Sequence, residues 1–337
     1  MRSAFHAAAL AAALTCTLTC AARPAAAQEL EPRTGPPVST EPVTASRPRG
    51  PQTPFVFHAN VGEVLVHASV FDNKHHPVEG LPEADFSVFE NGVPQHIDYF
   101  VHEDAPVSVG ILIDNSGSMR DKRPEVNKAA LNFVHSSNPQ DEVFIVNFND
   151  EYYLDAGFTN SIAKLQLGLQ QVESRGGTAI YDAIIASLDY LKQNAKNQKQ
   201  VLLVITDGDD DASRYTLEQT VRMVEAEDPP LIYCIGLLDS DDTRSMKRDA
   251  ERTLNALAGA TGGFAYFPKT LIQVGGITDQ VAREIREQYS MSYHSNQTGT
   301  GFRAIRVEVK DPHQKHLSVR TRNGYYQSPP ATAQNAR

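Results

Sequence analysis

Five oxygen-bearing side chains have the types and spacing of a site for a hard cation. They are Asp114, Ser116 and Ser118 in the run Ile113-Asp114-Asn115-Ser116-Gly117-Ser118-Met119, Thr178 after Gly176-Gly177, and Asp207 in Thr206-Asp207-Gly208. Oxygen ligands without His or Cys favour Mg²⁺, Mn²⁺ or Ca²⁺ over zinc, and Mg²⁺ takes six oxygens at about 2.0–2.1 Å while keeping several waters. Hydroxyls are neutral, so two carboxylates at most balance the ion, which stays electrophilic and coordinatively open. An Asp or Glu carboxylate from a partner protein can replace a water and complete the shell. A polarising metal also serves catalysis, so a hydrolase using the same ion is a second reading, with Asp209 as its only local base. A structural envelope protein with an idle site is a third.

Each of the five follows a strand or opens a helix in the expected element pattern. Residues 107–113 form a continuous apolar run, as in a strand covered on both faces. Further strands are expected at 143–148, 201–205, 231–237 and 264–267, with an edge strand at 152–158. Helices are expected at 125–135, 161–172, 179–193, 217–226, 245–258 and 277–288. This alternation predicts an α/β fold, a doubly wound, Rossmann-like and mostly parallel sheet in the order 3-2-1-4-5-6. Ligands of such sheets bind at the carboxyl ends of the strands where the order reverses. Asp114 ends the first strand and Asp207 lies just past the fourth, its neighbour across that switch point, so the two carboxylates are expected to face each other. Gly117 lets both serine hydroxyls turn to one side, and Gly176-Gly177 lets Thr178 approach closely.

Blander readings compete for each residue. Thr178 can be only a helix N-cap, and the serines only turn formers. Asp209-Asp210-Asp211 can hold Ca²⁺ or repel acidic ligands, but a charge run on a loop is usually solvated. His75-His76 and His313-x-x-His316 sit at presumed hairpin tips without an acidic or Cys partner at ligand spacing. No Ser stands in a Gly-x-Ser-x-Gly elbow, and no phosphate-binding Gly-Lys-Ser/Thr loop occurs. A phosphatase nucleophile at Asp114 would require a second acid where Ser116 stands.

Taken together, Asp-x-Ser-x-Ser after a strand, Gly-Gly-Thr before a helix and Thr-Asp-Gly after a later strand resemble the metal-ion-dependent adhesion site (MIDAS) of von Willebrand factor type A (VWA) domains, integrin inserted domains among them. The resemblance covers residues 106–289 and fills all five motif positions. It implies that Ser116, Ser118 and Thr178 are direct ligands and that Asp114 and Asp207 act largely through hydroxyl or water contacts. It also implies a non-enzymatic protein-binding role. The flanks are similar to a bacterial family of exported proteins with such domains, through Leu81, Asp85, Phe86 and Glu90-Asn91-Gly92 before, and Tyr289, Phe302-Arg303 and Asn323-Gly324-Tyr325-Tyr326 after. In adhesion domains of this kind ligand binding moves the closing helix. Here that helix feeds Tyr289 with almost no linker, so occupancy would alter the angle of the domain that follows.

Outside the α/β region the chain changes character. Residues 1–27 read as an export signal: Arg2, an Ala/Leu-rich run over 4–22, and Ala25-Ala26-Ala27 before Gln28. A membrane anchor is the alternative, although the run is weakly apolar, and the residues before Cys20 fit a lipoprotein signal poorly. The expected location is periplasmic, cell-surface or secreted. Cleavage leaves 29 basic against 41 acidic residues, a net charge of −12 that suits neither nucleic acid nor anionic lipid. Only Cys234 then remains, in an apolar run that suits a buried thiol. No later stretch is long enough to span a membrane.

Residues 28–54, rich in Pro, Thr, Ser and Arg, read as a disordered linker, and 329–337 as a disordered tail. Residues 55–104 read as a β segment, with alternation at 64–71, a strand ending at the hairpin signal Asn91-Gly92, and another over 95–100. Residues 290–328 read as a second β segment, with strands at 302–310 and 317–322 beyond the one beginning at Tyr289, followed by a polar tail. Alone, either segment would leave an apolar face uncovered. The prediction is therefore one smaller all-β, sandwich-like domain into which the α/β domain is inserted, with contacts between 64–70 and 305–309.

Overall fold

The computed structural model describes residues 62–327 apart from 103, 171–173, 209, 226–228, 240–241 and 311–315. The export signal, the linker, the tail, Asp209 and His313 therefore lie outside the described residues.

The chain enters through β1 (Glu63–Phe71), β2 (Phe86–Glu90), β3 (Val93–Gln95) and β4 (Tyr99–Val101). It then builds the α/β domain from β5 (Val107–Asp114), α1 (Arg123–Ser136), β6 (Glu142–Phe148), β7 (Tyr152–Thr159), α2 (Ile162–Gln170), α3 (Ile180–Asn194), β8 (Lys199–Thr206), α4 (Leu217–Val224), β9 (Leu231–Gly236), α5 (Arg244–Thr261), β10 (Ala265–Tyr266) and α6 (Ile272–Arg286). It returns to β structure in β11 (Tyr289–His294), β12 (Gly301–Val309), β13 (Ser318–Thr321) and β14 (Gly324–Gln327).

The central sheet has the order β10-β9-β8-β5-β6-β7, parallel except for the antiparallel edge strand β7. Counted from β5 this is the 3-2-1-4-5-6 order, so the switch point falls between β5 and β8. The middles of the inner strands are continuous apolar runs because both faces are covered. Val126, Phe133, Leu165, Val274 and Val281 of α1, α2 and α6 pack on one face. Ile180, Ile184, Val224, Leu254 and Leu257 of α3, α4 and α5 pack on the other.

Two four-stranded sheets, β13-β1-β11-β4 and β14-β12-β2-β3, make up the β domain, and each draws strands from both ends of the chain. Their facing side chains form a third core, in which Val64, Val66, Ala68 and Val70 of β1 share one cluster with Ile305 and Val307 of β12. The α/β domain is thus inserted in a discontinuous sandwich. Asn91 and Gly92, at φ 48° and 80°, make the two-residue turn joining β2 to β3.

Three details differ from the sequence reading. The strand expected at 95–100 is two short ones, because the chain leaves β2 at Gln95 and joins β11 from Tyr99 in the other sheet. The supposed polar tail contains β14, whose Tyr325 is buried. The closing helix starts at Ile272 rather than 277, since Val274 is buried in the core and carries the helix through Gly275-Gly276.

Candidate metal centre

Register puts the candidate residues together. Ile113 of β5 pairs with Ile205 of β8, so Asp114 falls beside Thr206, and Asp207 is the first residue past the strand. Asp114 is fully buried. Its Oδ1 accepts the Ser116 N–H at 2.8 Å and its Oδ2 accepts the Thr206 hydroxyl at 2.6 Å. Burial, with a smaller contribution from Asp207, pushes its carboxyl up to about 6 despite these donors. A bound cation would oppose that shift.

The two carboxylates do not meet directly; Ser118 links the site to Asp207. Ser116 Oγ lies 3.1 Å from Ser118 Oγ, and the Ser118 hydroxyl donates to Asp207 Oδ1 at 2.9 Å. An octahedral ion with oxygens at about 2.0–2.1 Å sets adjacent ligand oxygens about 2.9 Å apart. The Ser116, Ser118 and Asp207 oxygens therefore have the chemistry and spacing of ligands to a hard divalent cation. Among the described residues no group of three His, Cys, Asp or Glu is arranged to hold a metal, so a cation here would depend on the hydroxyls.

Thr178 is brought to this edge through the backbone. Gly117 N donates to Gly176 O at 3.2 Å, and Arg175 N donates to Asn115 O at 3.0 Å. Asp211 holds the next turn, accepting from Thr178 N at 2.7 Å while its own N–H donates to Thr178 O at 3.0 Å. Asp150 accepts from Gly177 N at 2.8 Å. These carboxylates explain the glycine pair: Gly176 has φ +77°, and a Cβ there would lie 2.0 Å from Asp150 Oδ2, while one at Gly177 would lie 2.5 Å from Asp211 Oδ1. Asp210 and Asp211 are not simply solvated, since Asp210 also accepts from Tyr181 N and the Ser213 hydroxyl. His75 and His76 are exposed in a turn where Asp72 accepts from His76 N.

The sequence reading missed Lys122. Its Nζ donates to Asp207 Oδ2 at 2.5 Å, to Asp239 Oδ2 at 2.7 Å and to Leu237 O at 3.3 Å. Burial pulls the ammonium down, but its bonds to Asp207 and Asp239 outweigh this and hold it above its ordinary value. Thr206 and Asp211 were also missed as supports. A position beside Asp207 at a strand end was the available signal for Thr206, and a basic residue opening a helix was the signal for Lys122.

The von Willebrand factor type A domain profile matches residues 109–209, a span running from β5 to just past Asp207. The chain therefore contains a von Willebrand factor type A domain within its α/β region. Solved structures with similar folds include a von Willebrand factor type A protein from Catenulispora acidiphila, 12% identical over 78% of this chain and 74% of that one, with a TM-score of 0.47. Another is the vWF domain of the type V pili tip protein Mfa5 from Porphyromonas gingivalis, 12% identical over 54% and 95%, at 0.45. A third is proximal thread matrix protein 1 from the mussel byssus with a zinc-occupied MIDAS motif, 16% identical over 59% and 50%, at 0.46. No curated protein matches the chain.

Proposed function

We propose that this protein is a metal-dependent protein-binding module of the adhesion type. Asp114, Ser116, Ser118, Thr178 and Asp207 hold a divalent cation, Mg²⁺ or else Mn²⁺ or Ca²⁺, and an Asp or Glu of a partner protein completes its shell. The observation that carries this reading is the run of Ser116, Ser118 and Asp207 oxygens at 3.1 and 2.9 Å at the switch point. When bound, the cation supplies an electrophilic position for a carboxylate oxygen. The chain's own residues do the rest: Thr206 and the Ser116 N–H aim Asp114, and Asp211 fixes Thr178. The groups touching the set are hydroxyls, a backbone N–H, an ammonium and engaged carboxylates, which suits binding better than hydrolysis.

Among the described residues no helix is long and apolar enough to cross a membrane. Together with the leader-like residues 1–27, this favours work in an exported compartment, at the cell surface, in the periplasm or outside the cell. The α6–β11 connection offers a route by which partner binding would tilt the β domain, testable by solution scattering. The function itself is tested by pull-down from exported extracts with wild type and Asp114→Ala, each with Mg²⁺ and with chelator. Partners retained only by wild type with Mg²⁺ are expected; equal retention under all four conditions would favour a structural role.

A further inference from the structure

A cation is already built into this site. Lys122 is the N-cap residue of α1, at the positive end of the helix dipole, where acids are favoured and a cation is not. Its side chain is 9% exposed and that of Asp207 2% exposed. All three ammonium protons are spent within the protein, on Asp207, Asp239 and the Leu237 carbonyl. Lys122 therefore has no proton left for a partner's carboxylate. It occupies one oxygen of Asp207 while Ser118 holds the other.

We infer that Lys122 is a resident counter-ion that sets the affinity of the centre for its metal, an inference that rests on the reading of the five oxygens as a divalent-cation site. Without the lysine, two buried carboxylates would balance a dication. With it, the buried set of Asp114, Asp207 and Lys122 carries one negative charge, so a dication leaves one positive charge over. Asp239, whose side chain is 52% exposed, offsets this mainly through solvent, which screens it. The lysine thus holds the centre at modest affinity and leaves it wanting an external anion. Asp239 acts through Lys122, drawing the ammonium partly away from Asp207.

The test is calorimetric titration of Mn²⁺ into the exported form of wild type, Lys122→Met, Lys122→Gln, Asp239→Asn and the Lys122→Met/Asp239→Asn pair, with melting temperature and circular dichroism as folding controls. Removing a unit charge beside a dication is expected to tighten Mn²⁺ by about tenfold in both Lys122 variants. Asp239→Asn is expected to weaken it, and that loss is expected to shrink in the Lys122→Met background. If Lys122 only positions Asp207, its loss would weaken Mn²⁺ instead. Unchanged or weaker binding by folded Lys122 variants, with wild type still binding, overturns the counter-ion assignment and leaves the metal centre standing. Absence of uptake by every form overturns both.

Discussion

Replacing Thr206 by valine removes one hydroxyl at nearly constant shape and tests how the centre is held. Thr206 and Asp114 are both fully buried, and the hydroxyl donates to the Asp114 carboxylate alongside the Ser116 N–H and the Ser116 side chain. A hydrogen bond to a charged group contributes about 1.5–3 kcal/mol, against roughly 1 kcal/mol for a neutral one. The cost should therefore depend on pH. Asp114 is held at about 6 in the folded protein, above its usual 3.8. The stability it contributes is thus fully present below pH 3.8 and is lost as pH rises through about 6, by up to about 3 kcal/mol. At pH 7.5 the carboxylate is charged, and Thr206→Val should cost about 2 kcal/mol, or roughly 4–8 °C in melting temperature for a protein of this size. At pH 4.5 the group is mostly protonated and the loss should fall to about 1 kcal/mol. Scanning calorimetry at the two pH values reads this directly, and Mn²⁺ titration should show weaker binding by Thr206→Val with recovery in Thr206→Ser. Identical melting at pH 7.5 together with unchanged Mn²⁺ affinity would refute the claim that Thr206 supports a charged Asp114.

Other perturbations have separable signatures. Gly176→Ala should cost about 1–3 kcal/mol through its positive φ and weaken metal binding, and adding Asp150→Ala should restore space but not the backbone term. Arg320→Met should cost about 3 kcal/mol in denaturant melts, because it strips the cation from Glu284, whose side chain is 1% exposed and keeps only the Tyr266 and Gln280 donors; adding Glu284→Gln should recover much of it. His67 is pulled down to about 3, chiefly by burial and further by Lys199 and Arg322. Its stability contribution is present above 6.5 and is lost as pH falls towards 3, so lowering pH from 7 to 5 should cost wild type about 2 kcal/mol through this group and His67→Gln nothing.

The sheet order was legible because buried parallel strands write continuous apolar runs. Asp114 and Asp207 followed from it, the one ending β5 and the other being the first residue past β8. The split at His96 was not legible, since a strand that changes sheets keeps its alternation. Strand β14 was hidden by its polar neighbours, although Gly324 is closely packed: a Cβ there would lie 2.2 Å from Arg303 O. The early start of α6 was obscured by Gly275-Gly276, where helix packing outweighs local propensity. Lys122 and Asp239 are 117 residues apart, and no local pattern joins them. Asp211 looked like part of a solvated run because its partner, the Thr178 N–H, is a backbone group that composition does not reveal.

The most direct measurement is calorimetric titration of Mg²⁺ and Mn²⁺ into the chelator-treated protein, wild type beside Asp114→Ala. Saturable uptake of one ion per chain by wild type, abolished in the folded variant, is the predicted result. No uptake by folded wild type, or equal uptake by both, would contradict the assignment of these oxygens to a metal centre.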